Sequence, residues 1–191
     1  MDYTTEEKTM SSPIGSMDNV KIFVLYLMEN INYPLDFVTI NDVVMQTDYI
    51  MYLDFAEGFG QMLDGGLIEK IDLGKDELYI VTEKGRHVAR ELSSRHITSS
   101  ILDESLTKAL RYLNFKKRGI ESKCSIEETE DGRYLITCGF IEKGTSIFSQ
   151  SLVVDTYDRA KRMKQNFHER PEAIYRGVIA LMAGNVNYLF D

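Results

Sequence analysis

The chain is 191 residues long, 43% hydrophobic and 27% charged, with a formal net charge of −8, a composition ordinary for a globular protein in water. Its longest apolar run, Ile22 to Met28, is far short of the roughly 20 residues needed to cross a bilayer, which argues against a membrane protein. Two cysteines, Cys124 and Cys138, and three scattered histidines, His87, His96 and His168, offer neither zinc-ligand spacing nor a disulfide framework, so no metal and no cofactor are expected.

The length allows one medium domain or two small ones, and the charge distribution favours two. Residues 1–92 hold 7 Lys and Arg against 17 Asp and Glu, whereas residues 93–191 hold 15 against 13. Within the acidic half, the 48 residues from Ile22 to Glu69 contain eight carboxylates and no Lys, Arg or His. The start of the chain, with Asp2, Glu6 and Glu7, lacks the basic-then-apolar order of a secretory signal, and the expected location is the cytoplasm. Residues 1–16 are expected to form a flexible tail and residues 17–96 a first domain. Residues 97–191 then hold a connecting helix and a small α+β domain serving dimerisation or sensing.

Asp18 is placed to cap a first helix, in which Val20, Phe23, Val24, Leu27 and Met28 recur at helical spacing until Asn30 to Pro34 stops it. A short second helix follows from Thr39 to Met45. Thr47 or Asp48 is placed to cap a third, running to about Leu63. There Tyr52, Phe55, Phe59, Met62 and Leu63 should face the core and leave Asp54, Glu57, Gln61 and Asp64 outward. Gly65-Gly66 supplies a C-cap, where one of the two can turn left-handed cheaply. Leu67 to Ile71 and Leu78 to Val81 flank a polar turn, Asp72 to Glu77, and read as a hairpin. Thr82-Glu83-Lys84-Gly85 then opens a fourth helix, with Val88, Ala89 and Leu92 on one face.

Three helices, a Gly-Leu-Ile strand, a hairpin, Thr-x-x-Gly and a further helix together resemble the winged-helix domains of PadR-like and MarR-like bacterial transcription regulators, over roughly residues 18–95. The resemblance implies a DNA reader whose third helix enters the major groove while the wing touches the backbone. The candidate contacts in this chain are Lys70, Lys75, Lys84 and Arg86 on the wing and its flanks, joined by Arg159 and Arg162 of the second half. Their alternative is an ordinary solvated surface of mixed charge. Because duplex binders draw their non-specific affinity from Lys and Arg, the acidic third helix opposes what the fold suggests.

Beyond the first domain, Thr98 to Lys117 reads as a helix with a wide apolar stripe. Three strands are expected at Ile120 to Thr129, Arg133 to Ile141 and Thr145 to Val154, joined by Glu130-Asp131-Gly132 and Glu142-Lys143-Gly144. The first loop sets Thr129 against Arg133 and so Ile126 against Ile136 and Cys124 against Cys138. The two cysteines are read as small buried thiols of the sheet core rather than as a redox switch. Asp155 or Thr156 is placed to cap a helix with Tyr157, Ala160, Met163 and Phe167 on its core side. Pro171 opens a last helix, ended by Gly184. The stripes of Thr98–Lys117 and Pro171–Ala183 exceed what a small sheet can cover, so a homodimer is expected.

With Asp155 to Ala160, Asn166-Phe167 and Glu172-Ala173-Ile174-Tyr175 in place, the whole chain resembles an uncharacterised bacterial family defined as a domain of unknown function, over about residues 18–184. That resemblance implies a regulator-like architecture and no substrate. The phosphate-loop, dinucleotide, Gly-x-Ser-x-Gly and His-Glu-x-x-His motifs are all missing, so no enzyme is expected. The expected fold class is α+β, a winged helix-turn-helix domain followed by a small three-stranded antiparallel sheet with helices. The expected function is that of a winged-helix regulator with weak or wing-dependent binding to double-stranded DNA. The alternative is a degenerate winged helix that binds protein through the acidic helix Asp48–Asp64 and no DNA.

Overall fold

The computed structural model describes residues 12–72 and 77–185. The chain divides into two compact units, Met1–Leu110 and Arg111–Asp191. The division falls inside a helix, α5 (Ser99–Lys117).

The first unit is built around α1 (Met17–Ile31), whose Val20, Phe23, Val24, Leu25 and Leu27 are all but inaccessible. A helix apolar on nearly every side belongs at a centre, and each such side chain contributes roughly 2 kcal/mol of burial. Ser16, not Asp18, caps it by accepting from the Asn19 amide. Asp18 lies within the first turn and pairs with Lys21 at 2.9 Å. The strand β1 (Leu35–Asp36) leads into α2 (Phe37–Met45), where Asp36 accepts from the Thr39 amide at 2.8 Å.

The third helix, α3 (Tyr52–Asp64), starts later than expected. Neither Thr47 nor Asp48 caps it, because the Thr47 hydroxyl is buried and bonded to the Val44 carbonyl at the end of α2. Phe55, Gly58, Phe59 and Met62 form its buried face. Tyr52, expected in the core, is 55% exposed. Asp54, expected outward, is half-buried under the chain before α1: it accepts from the Ser12 amide at 2.8 Å and from the Ser12 hydroxyl, which in turn accepts from the Met51 amide. Ser12 itself is buried, and Ile14 donates its amide to the Tyr49 carbonyl at 3.0 Å, while residues 1–11 of the expected tail lie outside the described residues.

Strands β2 (Ile68–Asp72) and β3 (Glu77–Val81) form an antiparallel hairpin, and β1 adds to the free side of β3 to give the order β1-β3-β2. Phe59 of α3 meets Phe37 and Tyr79 edge-on at 4.9 Å each, which fixes the helix to the sheet. The hairpin passes into α4 (Glu83–His96) through Thr82, whose hydroxyl donates to the Gly66 carbonyl and accepts from the Gly85 amide. Here the reason for Thr-x-x-Gly becomes physical. A Cβ on Gly85 would run into the Leu67 carbonyl oxygen and come within 2.7 Å of Val81 Cγ1.

The second unit holds β4 (Ile120–Glu128), β5 (Tyr134–Glu142) and β6 (Thr145–Val154) in the order β4-β5-β6, antiparallel throughout. Cys124 pairs with Cys138 and Ile126 with Ile136, and Gly132 and Gly144 take the left-handed loop positions at φ 75° and 81°. The cysteines are not free thiols: they are joined in a disulfide. Directly opposed residues of a narrow antiparallel pair, with Cα atoms 4.3 Å apart, stand close enough to be bridged.

Helix α6 (Tyr157–Glu169), capped by Thr156, packs on the sheet, and α7 (Pro171–Met182) packs on α6. Phe140 stacks on Phe167 at 4.5 Å and meets Phe115 edge-on at 5.9 Å, while Ile136, Val154 and Ala160 form a second cluster. Tyr157, expected inside, is 53% exposed with its ring edge against Tyr134. The protein is therefore α+β, with two three-stranded antiparallel sheets among the described residues. No described helix is long and apolar enough to cross a membrane.

Candidate nucleic-acid interface

The outward stripe of α3 runs Leu53, Glu57, Gly60, Gln61 and Asp64, with Tyr52 beside it. Leu53 is 78% exposed. The stripe holds no cation, so a phosphate approaching it meets carboxylates and apolar surface.

The described cations of the first unit lie on other elements, and each has an internal partner. Lys70, on β2, reaches across the hairpin to Glu77 at 2.6 Å and holds that carboxyl below its ordinary range, chiefly by the hydrogen bond. Lys84, in the first turn of α4, donates at 2.8 Å to the carbonyl of Gly65, where α3 ends and its partial charge is negative. Arg86 bonds Glu83 at 3.1 Å and approaches Glu29 at 4.0 Å, and Arg90 takes the same Glu29 at 2.5 Å. Lys21, Arg95 and Lys108 pair with Asp18, Glu91 and Glu104. Thus every described Lys and Arg of the first unit has a carboxylate or carbonyl partner. Lys75 lies outside the described residues.

Glu29 is the residue that sequence reading missed. Its side chain is 13% exposed and binds two arginines, 57 and 61 positions further on. Nothing in its local pattern, an acid near the end of an apolar helix, announces a long-range partner.

The remaining candidates belong to the second unit, on the first turns of α6. Arg159 donates to Asp155 at 3.3 Å, and Arg162 is exposed. Asp155 is held below its ordinary range by its own backbone amide first and by Arg159 second. Lys84 and Arg86 share one helical turn, and Lys70 sits on the preceding hairpin. Among the described residues no cluster of His, Cys, Asp or Glu is placed to hold a metal ion.

The chain belongs to the family described as Domain of unknown function (DUF4364), which it matches over residues 20–182. No curated protein and no solved structure matches it.

Proposed function

We propose that the first unit is a winged helix and that the protein is a regulator of that type, touching double-stranded DNA weakly and through the wing. The order of elements carries this reading: α2 and α3 stand as the helix-turn-helix, β2 and β3 as the wing, and β1 closes the sheet against the wing's inner strand. Lys70, Lys84 and Arg86 flank the wing, and Lys75 falls within its turn. Lys70, Lys84 and Arg86 can each reach a phosphate only by giving up, or sharing, the carboxylate or carbonyl already held.

Titrating the protein against mixed duplexes at several salt concentrations tests this. Four phosphate contacts, one each from Lys70, Lys75, Lys84 and Arg86, give a slope of about −3.6 in log affinity against log salt, at about −0.9 per contact. Lys75→Glu is expected to abolish binding. Glu29→Gln, which removes the carboxylate held by Arg90 and leaves Arg86 with Glu83, is expected to strengthen it. Tight binding with a steep slope that survives Lys75→Glu would show that the acidic helix reads DNA after all.

The exposed Tyr52 and Leu53 at the head of an acidic stripe favour a second reading, a module that docks a protein carrying apolar and basic side chains. Absence of duplex binding at the lowest salt, in the wild type and in Glu29→Gln alike, selects it.

A further inference from the structure

Strand β6 is an edge of the second sheet: among the described residues it pairs with β5 alone. Such an edge offers a row of unpaired N–H and C=O groups, and chains that stay single guard it with charge, proline or brevity. The opposite edge, β4, is guarded by Glu121, Lys123, Glu127 and Glu128. β6 runs for ten residues without a charge or a proline. Leu152 and Val153 are 43% and 46% exposed, and Ser149, Gln150 and Ser151 are exposed beside them.

The edge is chemically symmetric about Gln150. From either end, residues 147 to 153 read apolar, apolar, Ser, Gln, Ser, apolar, apolar. A twofold interface demands that symmetry, because residue i meets j wherever j meets i. Paired antiparallel about Gln150, two copies set Ser149 against Ser151, Phe148 against Leu152 and Ile147 against Val153. Hydroxyls meet hydroxyls, apolar groups meet apolar groups, and no charge is buried.

The backbone is phased to match. The Cα separation of 4.3 Å between Cys124 and Cys138 marks a narrow, non-hydrogen-bonded pair. The polar backbone groups of Cys138 therefore turn toward β6, where Gln150 is its register partner. Alternation then turns the N–H and C=O of Ser149 and Ser151 outward, to the side where a further strand would lie. On the face toward the helices, Phe148, Gln150 and Leu152 line an apolar groove of about 270 Å³ with Ile136, Met163 and Phe167, so pairing brings two half-open grooves together.

We propose that two copies of this chain join through β6, antiparallel about a twofold axis at Gln150, into one six-stranded sheet. The proposal stands apart from any reading of DNA or protein binding by the first unit.

Sedimentation of the full chain at micromolar concentration tests it, together with variants of the exposed edge. The wild type is expected to be a dimer. Gln150→Lys sets two like charges opposite each other and is expected to weaken the dimer about fivefold. Ser149→Pro removes one outward N–H per copy, and two lost hydrogen bonds weaken it on the order of thirtyfold. Gln150→Cys is expected to form a covalent dimer on oxidation, while Ser125→Cys on β4 does not. A monomeric wild type overturns the proposal. So does a dimer indifferent to Gln150→Lys whose Gln150→Cys form fails to cross-link, and these two variants decide the matter even if Ser149→Pro disturbs the fold.

Discussion

Ser105, on α5, is fully buried, and its hydroxyl has no hydrogen-bond partner among the described residues. An unsatisfied buried hydroxyl costs about 1 kcal/mol or more. Ser105→Ala is therefore expected to raise stability by about 1 kcal/mol, read as a higher urea midpoint at unchanged slope; a lower midpoint would mean that the hydroxyl is bonded. Asp131 shows the opposite situation, a fully satisfied surface group. The Arg133 guanidinium, at 2.8 Å, and then the Thr129 hydroxyl, at 2.6 Å, hold its carboxyl down to about 2. A carboxylate depressed in the folded state contributes stability above its ordinary value of 3.8, and that contribution is lost as pH falls toward 2. Exposure to solvent keeps the contribution small. Following the Asp131 carboxyl by NMR should give a midpoint near 2, and Arg133→Ala should return it toward 3.8.

Elements whose signals are local were legible. The two Gly-ended loops announce the hairpins of the second sheet, and the first of them places Cys124 opposite Cys138 by residue counting alone. The register did not say that the thiols would be joined, because opposition in a ladder is a matter of residue counting and the bond a matter of ångströms. That bond closes a short loop, with the cysteines 14 residues apart. Loops of this size confer up to about 3 kcal/mol, less where a ladder already holds the ends together. Reductant is accordingly expected to lower the urea midpoint of the second unit, and Cys124→Ser with Cys138→Ser to lose most of that response. Thr-x-x-Gly was legible as a signature and not as a cause. The close approach of Gly85 to the Leu67 carbonyl supplies the cause, and Gly85→Ala is expected to cost about 3 kcal/mol, since overpacking against backbone has no side chain to move aside.

Across the molecule, what escaped the sequence was distance. The start of α3 went astray because its cover, Ser12, comes from far along the chain. The charge pattern showed an acidic half but not that its few cations were already committed, since Glu29 finds its arginines only once α1 and α4 lie together. That commitment, more than the count of Lys and Arg, sets the terms on which the first unit can meet a polyanion. The link between Ser12 and the head of α3 carries another consequence. Met51, at the N-cap of α3, makes no side-chain cap of its own and is held by a hydroxyl 39 positions upstream. Closing so long a loop has an entropic cost that grows only slowly with its length, so the clasp is cheap to keep and cheap to open. Ser12→Ala should speed amide hydrogen exchange in the first turn of α3 while leaving Phe59 and the turns beyond it as slow as before. Tyr52 and Leu53, the exposed head of that helix, thus owe their footing to a hydroxyl set in a different part of the chain.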